Sequence, residues 1–272
     1  MSDRQTHHRV SSPRCAGRVS DPRRAWSARS LAIVFAAIAA APLPAADQET
    51  ATPQRPSLSF NALTVPAHRF EMELGGTITQ GGGAVPIFLK YGLTDRTELE
   101  AAFDAVRQVE TDDGEITSVG DLSLWVRSRT DPSAEGQRLA VSGWVKAPIA
   151  RDDAGTGEVD AGVIGILSMP VGRFGLDANV WLSALGREDA TVGQVQGIVT
   201  LGYSASKGWS VFAEAAWQQT AGEGSGGFFD SGVSFAASRW AVLDIAAGVG
   251  WNEGYPDWAA TAGWTILFPG GG

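Results

Sequence analysis

The sequence predicts an all-β chain: a closed, antiparallel, up-and-down transmembrane β-barrel of about twelve strands. Three observations predict it. From about residue 67 onward, apolar side chains return at every second position in run after run, the period of a strand with one apolar face. Past the N-terminal leader no segment reaches 18 consecutive apolar residues, which excludes a spanning helix, whereas barrel strands alternate and average to neutral hydropathy. The chain also opens with the three parts of an export signal.

The leader comes first. Seven arginines (Arg4, Arg9, Arg14, Arg18, Arg23, Arg24 and Arg29) stand against two acids, Asp3 and Asp21, in residues 1–30. The apolar run 31–41 and the small-residue exit Pro42-Leu-Pro-Ala-Ala46 follow, so residues 1–46 read as a signal peptide that takes the chain through the inner membrane. Taking these 7 basic and 2 acidic residues from totals of 21 and 30 leaves 14 and 28, a net charge of −14. Such a chain offers no basic patch to phosphates, so no nucleic-acid partner is expected. Cys15, the only cysteine, leaves with the signal, which excludes a disulfide, a thiolate metal site and a cysteine nucleophile. Residues 47–66 carry three prolines and no period and read as a periplasmic N-terminal tail or extended lead-in to a barrel over 67–272.

Twelve runs then alternate. Phe70, Met72 and Leu74 oppose Glu71 and Glu73; Val85, Ile87, Leu89 and Tyr91 oppose Phe88 and Lys90; Leu99, Ala101, Phe103 and Ala105 oppose Glu98, Glu100 and Asp104. Leu122, Leu124 and Val126 oppose Asp121, Ser123 and Arg127; Leu139, Val141 and Val145 oppose Ser142 and Lys146; Val163, Leu167 and Met169 oppose Asp160 and Ser168. The second half continues with runs at 174–183, 194–204, 209–218, 229–235, 243–251 and 258–268, whose polar sides hold Asp177, Glu214, Asp230 and Asp244. Short turns (94–96, 172–173, 205–208, 238–239, with 130–137 the longest) are expected at one end and longer polar loops (80–83, 108–118, 149–158, 186–193, 219–227, 252–257) at the other, with both termini periplasmic. Closure follows from lipid offering no hydrogen bonds to an open sheet edge. Tyr91, Trp209, Trp217, Trp251 and Trp258 suit interface girdles.

The polar sides together predict a lumen. Eleven carboxylates (Glu71, Glu73, Glu98, Glu100, Asp104, Asp121, Asp160, Asp177, Glu214, Asp230, Asp244) share it with three cations, Lys90, Arg127 and Lys146, which are expected to pair with neighbouring acids. Read as the wall of a water-filled pore, this ring favours cations. Phe88, Trp125, Trp144, Trp181 and Phe212 face the same way, either as a stacking path for an aromatic cargo or as filler.

The last run, Thr261-Ala-Gly-Trp-Thr-Ile-Leu-Phe268, resembles the closing-strand signal of outer-membrane barrels: a polar residue, Gly263 two later, then Trp264, Ile266 and a final Phe268, here with Pro269-Gly-Gly-Gly272 added. Such a signal implies the barrel-assembly machinery as a partner, besides outer-membrane lipid and lipopolysaccharide. Four segments between 67 and 170 resemble the MetA-pathway of phenol degradation family of bacterial outer-membrane transporters. They are Tyr91-Gly-Leu-Thr-Asp-Arg-Thr-Glu-Leu-Glu100, Gly120-Asp-Leu-Ser-Leu-Trp-Val-Arg127, Val145-Lys-Ala-Pro148 and Gly155-Thr-Gly-Glu-Val-Asp160. The resemblance implies an outer-membrane channel for small, hydrophobic or aromatic molecules, with the solute left open.

Catalytic and metal chemistry find little footing. His68 is the one histidine beyond the leader and falls at the start of the first strand, the rim away from the outer leaflet, so a Ser–His–carboxylate site is not expected. The carboxylates alternate with small residues along strands, as a polar wall does, rather than forming an isolated catalytic pair. Asp112, Asp113 and Glu115, like Asp152, Asp153 and Glu158, lie in loops without a fixed calcium motif. Gly222–Gly227 lacks the Lys-Ser/Thr of a phosphate loop. No enzyme, cofactor or metal is expected; the rival readings are a structural or adhesive barrel with a plugged lumen and an outer-membrane enzyme.

Overall fold

The structure is a computed structural model and describes residues 49–111, 114–151 and 154–269. The expected signal peptide, the pairs Asp112–Asp113 and Asp152–Asp153, and the last three glycines lie outside the described residues.

Thirteen strands follow one another: β1 (Phe70–Thr79), β2 (Gly82–Thr94), β3 (Thr97–Thr111), β4 (Gly114–Ser118), β5 (Leu122–Arg129), β6 (Arg138–Ala147), β7 (Asp160–Val171), β8 (Phe174–Arg187), β9 (Ala190–Ser206), β10 (Trp209–Thr220), β11 (Gly224–Ser238), β12 (Ala241–Asn252) and β13 (Trp258–Phe268). All pairings between them are antiparallel, and β13 returns to β1 from Phe70↔Phe268 to Thr79↔Ala259, so the sheet is closed. β4 and β5 are one stave. Both lie on β3 in a single register, Arg107↔Ser118 and Ala102↔Ser123, broken only at 119–121. The barrel therefore has twelve staves, the number the alternation predicts.

The two faces are sorted inversely to a water-soluble barrel. Leu124, Val180 and Ile245 point outward at 50%, 54% and 60% exposure, while Glu71, Glu73, Glu98 and Arg127 point inward at 0%. An apolar outside and a polar inside are what hydrocarbon surroundings require, since there every backbone group must find its partner within the wall.

The connectors differ from expectation. Most of the longer polar loops are strand: β1 and β2 are joined by two residues, 80–81, and β8 and β9 by two, 188–189. Among the described residues of those loops, the longer stretches that remain outside strands are 148–151, 154–159 and 253–257. The polar composition of the rest reflects strands carried past the apolar band, and polar residues fit a strand once it faces water. Gly82, at φ +147°, sits where a Cβ would strike the Gln108 carbonyl oxygen at 2.0 Å, which fixes glycine at this tight turn.

The larger difference is the segment before β1. Expected, within 47–66, as a periplasmic N-terminal tail or extended lead-in, residues 51–66 run inside the barrel. The Ala51 N–H bonds the Arg239 carbonyl at the rim where β1 begins and β13 ends, here called the near rim. The chain climbs to Ser59 and Phe60, opposite Glu214 and Asn179, the sixth residues of β10 and β8. It then descends to Val65 and Pro66, which cross the Gly92 backbone so closely that a Cβ there would lie 2.2 Å from the Pro66 oxygen. His68, at φ +61°, turns the chain into the wall, its N–H bonding the Gly92 carbonyl.

Candidate functional site: an occluded lumen

The segment is held mainly by wall side chains that bind its main chain. Glu71 accepts the Thr52 N–H at 2.7 Å; Glu73 accepts two successive N–H groups, Gln54 and Arg55, each at 2.9 Å. Glu214 does the same for Leu58 and Ser59, at 2.7 and 2.9 Å. Asn179 grips both sides of one residue, its Oδ1 accepting the Phe60 N–H at 2.7 Å and its Nδ2 donating to the Phe60 carbonyl at 2.8 Å. Ser168 accepts the Ala62 N–H and Glu98 the Val65 N–H. Hydrogen bonds to charged acceptors contribute roughly 1.5–3 kcal/mol each, and an orphaned buried carboxylate costs more than that.

The three cations expected on the inner wall complete the arrangement. Lys90 Nζ stands 2.5 Å from Glu71 and 2.6 Å from Glu73 and donates to the Thr52 carbonyl at 2.7 Å. Arg127 pairs with Glu100 at 2.9 Å and Glu98 at 3.6 Å, donates to the Asn61 carbonyl, and lies 4.5 Å over the Phe60 ring. Lys146 bridges Asp160 at 2.7 Å and Asp121 at 3.4 Å near the opposite, far rim. The segment brings a cation of its own. Arg55 reaches Asp244 at 3.2 Å and Thr261 at 2.7 Å, lying flat over Gly75 and Gly263, which face one another across the β1–β13 seam. A Cβ at Gly75 would sit 2.4 Å from its guanidinium carbon.

Of the residues expected on the inner wall, Glu71, Glu73, Lys90, Glu98, Glu100, Arg127, Asp160, Glu214, Asp230 and Asp244 are buried, and those at the near rim do not meet water. Glu71, Glu73, Glu98, Glu100, Glu214 and Asp244 are buried and engaged by the segment or by a cation. The expected solvated acidic ring is dry there because the chain's own amides take the place of water. Asp177 accepts the Ser168 hydroxyl, and Asp230 is the cross-strand neighbour of Glu214. Towards the far rim Asp104 pairs with Arg107 at 3.1 Å, and Asp121 accepts the Ala150 and Thr156 N–H groups, pinning the 148–159 loop against the wall.

The aromatic residues meet at the apex. Phe60 lies 5.5 Å from Trp181, 5.6 Å from Trp125 and 6.1 Å from Phe88, and Trp125 stacks on Trp144 at 5.4 Å. Phe60 and the three tryptophans form an apolar core inside the barrel with Ala62, Ala140, Ile164 and Ile166, and a second one joins Ile198, Ala216, Phe228 and Tyr255. Phe212 faces inward elsewhere, over Gly232. Phe60 and the inward isoleucines are the residues sequence reasoning missed; a phenylalanine in a proline-rich tail gave no period to read. Above the cluster two cavities open towards the far rim. One of 780 Å³ is lined by Trp144, Gly162, Ser183 and Gln194, and one of 460 Å³ by Phe88, Asp104, Ser123 and Lys146. Beside the first, Arg187 clasps Glu223 at 2.6 Å; that hydrogen bond holds the Glu223 carboxyl below its ordinary range.

The C-terminal motif is at the seam: Gly263 beneath Arg55, Ile266 opposite Met72, Trp264 opposite Leu74, and the Phe268 ring 5.5 Å from Phe70. His68 stands at the near rim, its main chain turning the segment into β1. No group of metal-ligating side chains assembles among the described residues.

Among solved structures the chain is similar to the COG4313 outer membrane channel from Pseudomonas putida F1, at 14% identity and a TM-score of 0.62, over 76% of this chain and 98% of that one. LpxR from Salmonella typhimurium matches at 10% identity and a TM-score of 0.46, over 73% of this chain and 100% of that one. The outer membrane channel DcaP of Acinetobacter baumannii matches at 11% and 0.36, over 73% and 72%. At these identities the first likeness shows a shared fold, and the other two are too distant to carry an argument. No family model matches the chain, and no curated protein does.

Proposed function

We propose that the chain is an outer-membrane channel for small molecules, held closed by its own segment 51–66. The carrying observation is the way the lumen is divided. The near half is filled by a segment bound through its main chain, the far half holds two cavities, and aromatic rings separate them. A barrel whose only role was structural needs no such division; a channel with a removable closure does. The likeness in fold to an outer membrane channel supports the reading. In it, the apolar outer face contacts outer-membrane lipid, polar strand ends meet lipopolysaccharide, the closing strand is read by the barrel-assembly machinery, and the near rim is periplasmic.

Planar-bilayer recordings test it. Deleting residues 51–65 is expected to turn rare, small openings into steady ones that prefer cations, because Glu98, Glu214 and Glu73 lose their amide partners and face water. Glu73→Gln with Glu214→Gln, which weakens the grip without removing the segment, should raise open probability to an intermediate level. Folded barrels of all three proteins with no conductance would defeat the channel reading and favour the structural one.

A further inference from the structure

Phe60 is treated by the wall as a ligand is. Three aromatic rings surround it, a guanidinium lies 4.5 Å over its face, and one amide side chain holds its main chain on both sides. The surrounding residues, Phe88, Trp125, Arg127, Asn179 and Trp181, all belong to the barrel, so the pocket's walls stay in place when the segment leaves. A second feature points the same way. The indole Nε1 atoms of Trp125, Trp144 and Trp181 are all buried and without a hydrogen-bond partner among the described residues. Buried donors left unpaired are costly, and those of Trp125 and Trp181, the two indoles against Phe60, reward an oxygen acceptor that Phe60 cannot supply.

Resting on the channel reading, we propose that this pocket is the aromatic-solute site of the barrel and that Phe60 is its built-in competitor. An uncharged aromatic molecule bearing a hydroxyl or carbonyl oxygen binds where the Phe60 ring sits, and solute and seated segment exclude one another. The ring of the solute takes the faces of Trp125, Trp181 and Phe88; its oxygen takes an indole N–H, and Asn179 Oδ1 becomes free to accept a hydroxyl. Charge selects the class. An anionic ring meets Glu98 and Glu100, which already neutralise Arg127, and a cationic ring meets Arg127 itself at the ring face. The cavities bounded by Trp144 and Phe88 bring the far rim to the edge of the pocket. Solute arriving from that side loosens the segment, which couples occupancy to opening.

The exclusion has a measurable signature. Where a site is free only part of the time, apparent affinity falls by that fraction. Full-length protein in detergent, shown to be folded by its gel mobility, is titrated with benzyl alcohol, and binding is read by tryptophan fluorescence and calorimetry. Phe60→Ala is expected to bind at least about tenfold more tightly than wild type. Benzoate, benzylammonium and cyclohexanol, of similar size, should gain much less. Phe60→Leu keeps apolar volume at the apex but lacks the ring face and should fall between the two, which guards against a collapsed pocket in the alanine variant. Equal affinity in wild type and both variants overturns the proposal, as does cyclohexanol binding as well as benzyl alcohol. Conductance of the same variants keeps the two readings apart. Tighter binding without channels sinks the channel and spares the site; channels without tighter binding do the reverse.

Discussion

Lys90 shows most clearly how single residues are committed here. Its ammonium is buried between two buried carboxylates and a main-chain carbonyl, so it neutralises Glu71 and Glu73 while tying down Thr52. Lys90→Met keeps the volume and removes the charge, leaving two uncompensated carboxylates on adjacent positions of one strand face. Breaking a buried ion pair from one side costs about 3–5 kcal/mol. A urea-unfolding midpoint lowered accordingly is the expected result; a midpoint within error of wild type would show that water reaches the pair. The charges themselves could be read from sequence as inward-facing, and so could the need of Lys90 and Arg127 for acidic neighbours. Their third partners could not. Thr52 and Asn61 take part through carbonyl oxygens, which every residue possesses and no sequence pattern marks.

At the scale of the strand, alternation decides what is tolerated. Leu124 faces outward from the middle of the β4–β5 stave, whereas its neighbour Ser123 borders the 460 Å³ cavity inside. Leu124→Arg places a cation against hydrocarbon and costs roughly 2–4 kcal/mol at the midplane. Ser123→Arg places the same cation near Asp104 and Asp121 and should leave folding into lipid vesicles close to wild type. Equal loss of folded yield in the two variants would contradict the assignment of faces. The staves were legible because lipid enforces a strict apolar period on one face. The inner face obeys no such rule: Ile164, Ile166, Ile198 and Leu267 are buried on the same side as the acids, because parts of the lumen are packed rather than wet. The loop lengths misled for a related reason, since polar residues at a strand end look like loop. Segment 51–66 was hidden most completely. It contributes amides to carboxylates, and with three prolines and no period it has the composition of a tail.

At the largest scale the described strands form a ring closed by β1 on β13, and among the described residues the sheet has no free edge from which detergent can begin to peel it. Unheated protein is therefore expected to migrate faster on denaturing gels than boiled protein. Identical mobility before and after boiling would count against a closed membrane barrel. The inner segment should add resistance without being required for closure, since no pairing in the ring passes through it. Its path has one more consequence. From Ala51 to Pro66 it rises from one rim and comes back to the same rim, a bight rather than a thread. A strand passed clean through a ring can be cleared only by drawing an end along the whole bore, but a bight slips out sideways as it went in. Withdrawal by the way it entered leaves the ring unbroken and crosses neither itself nor the wall, so the cycle of seating and unseating is topologically free however tightly each carboxylate grips.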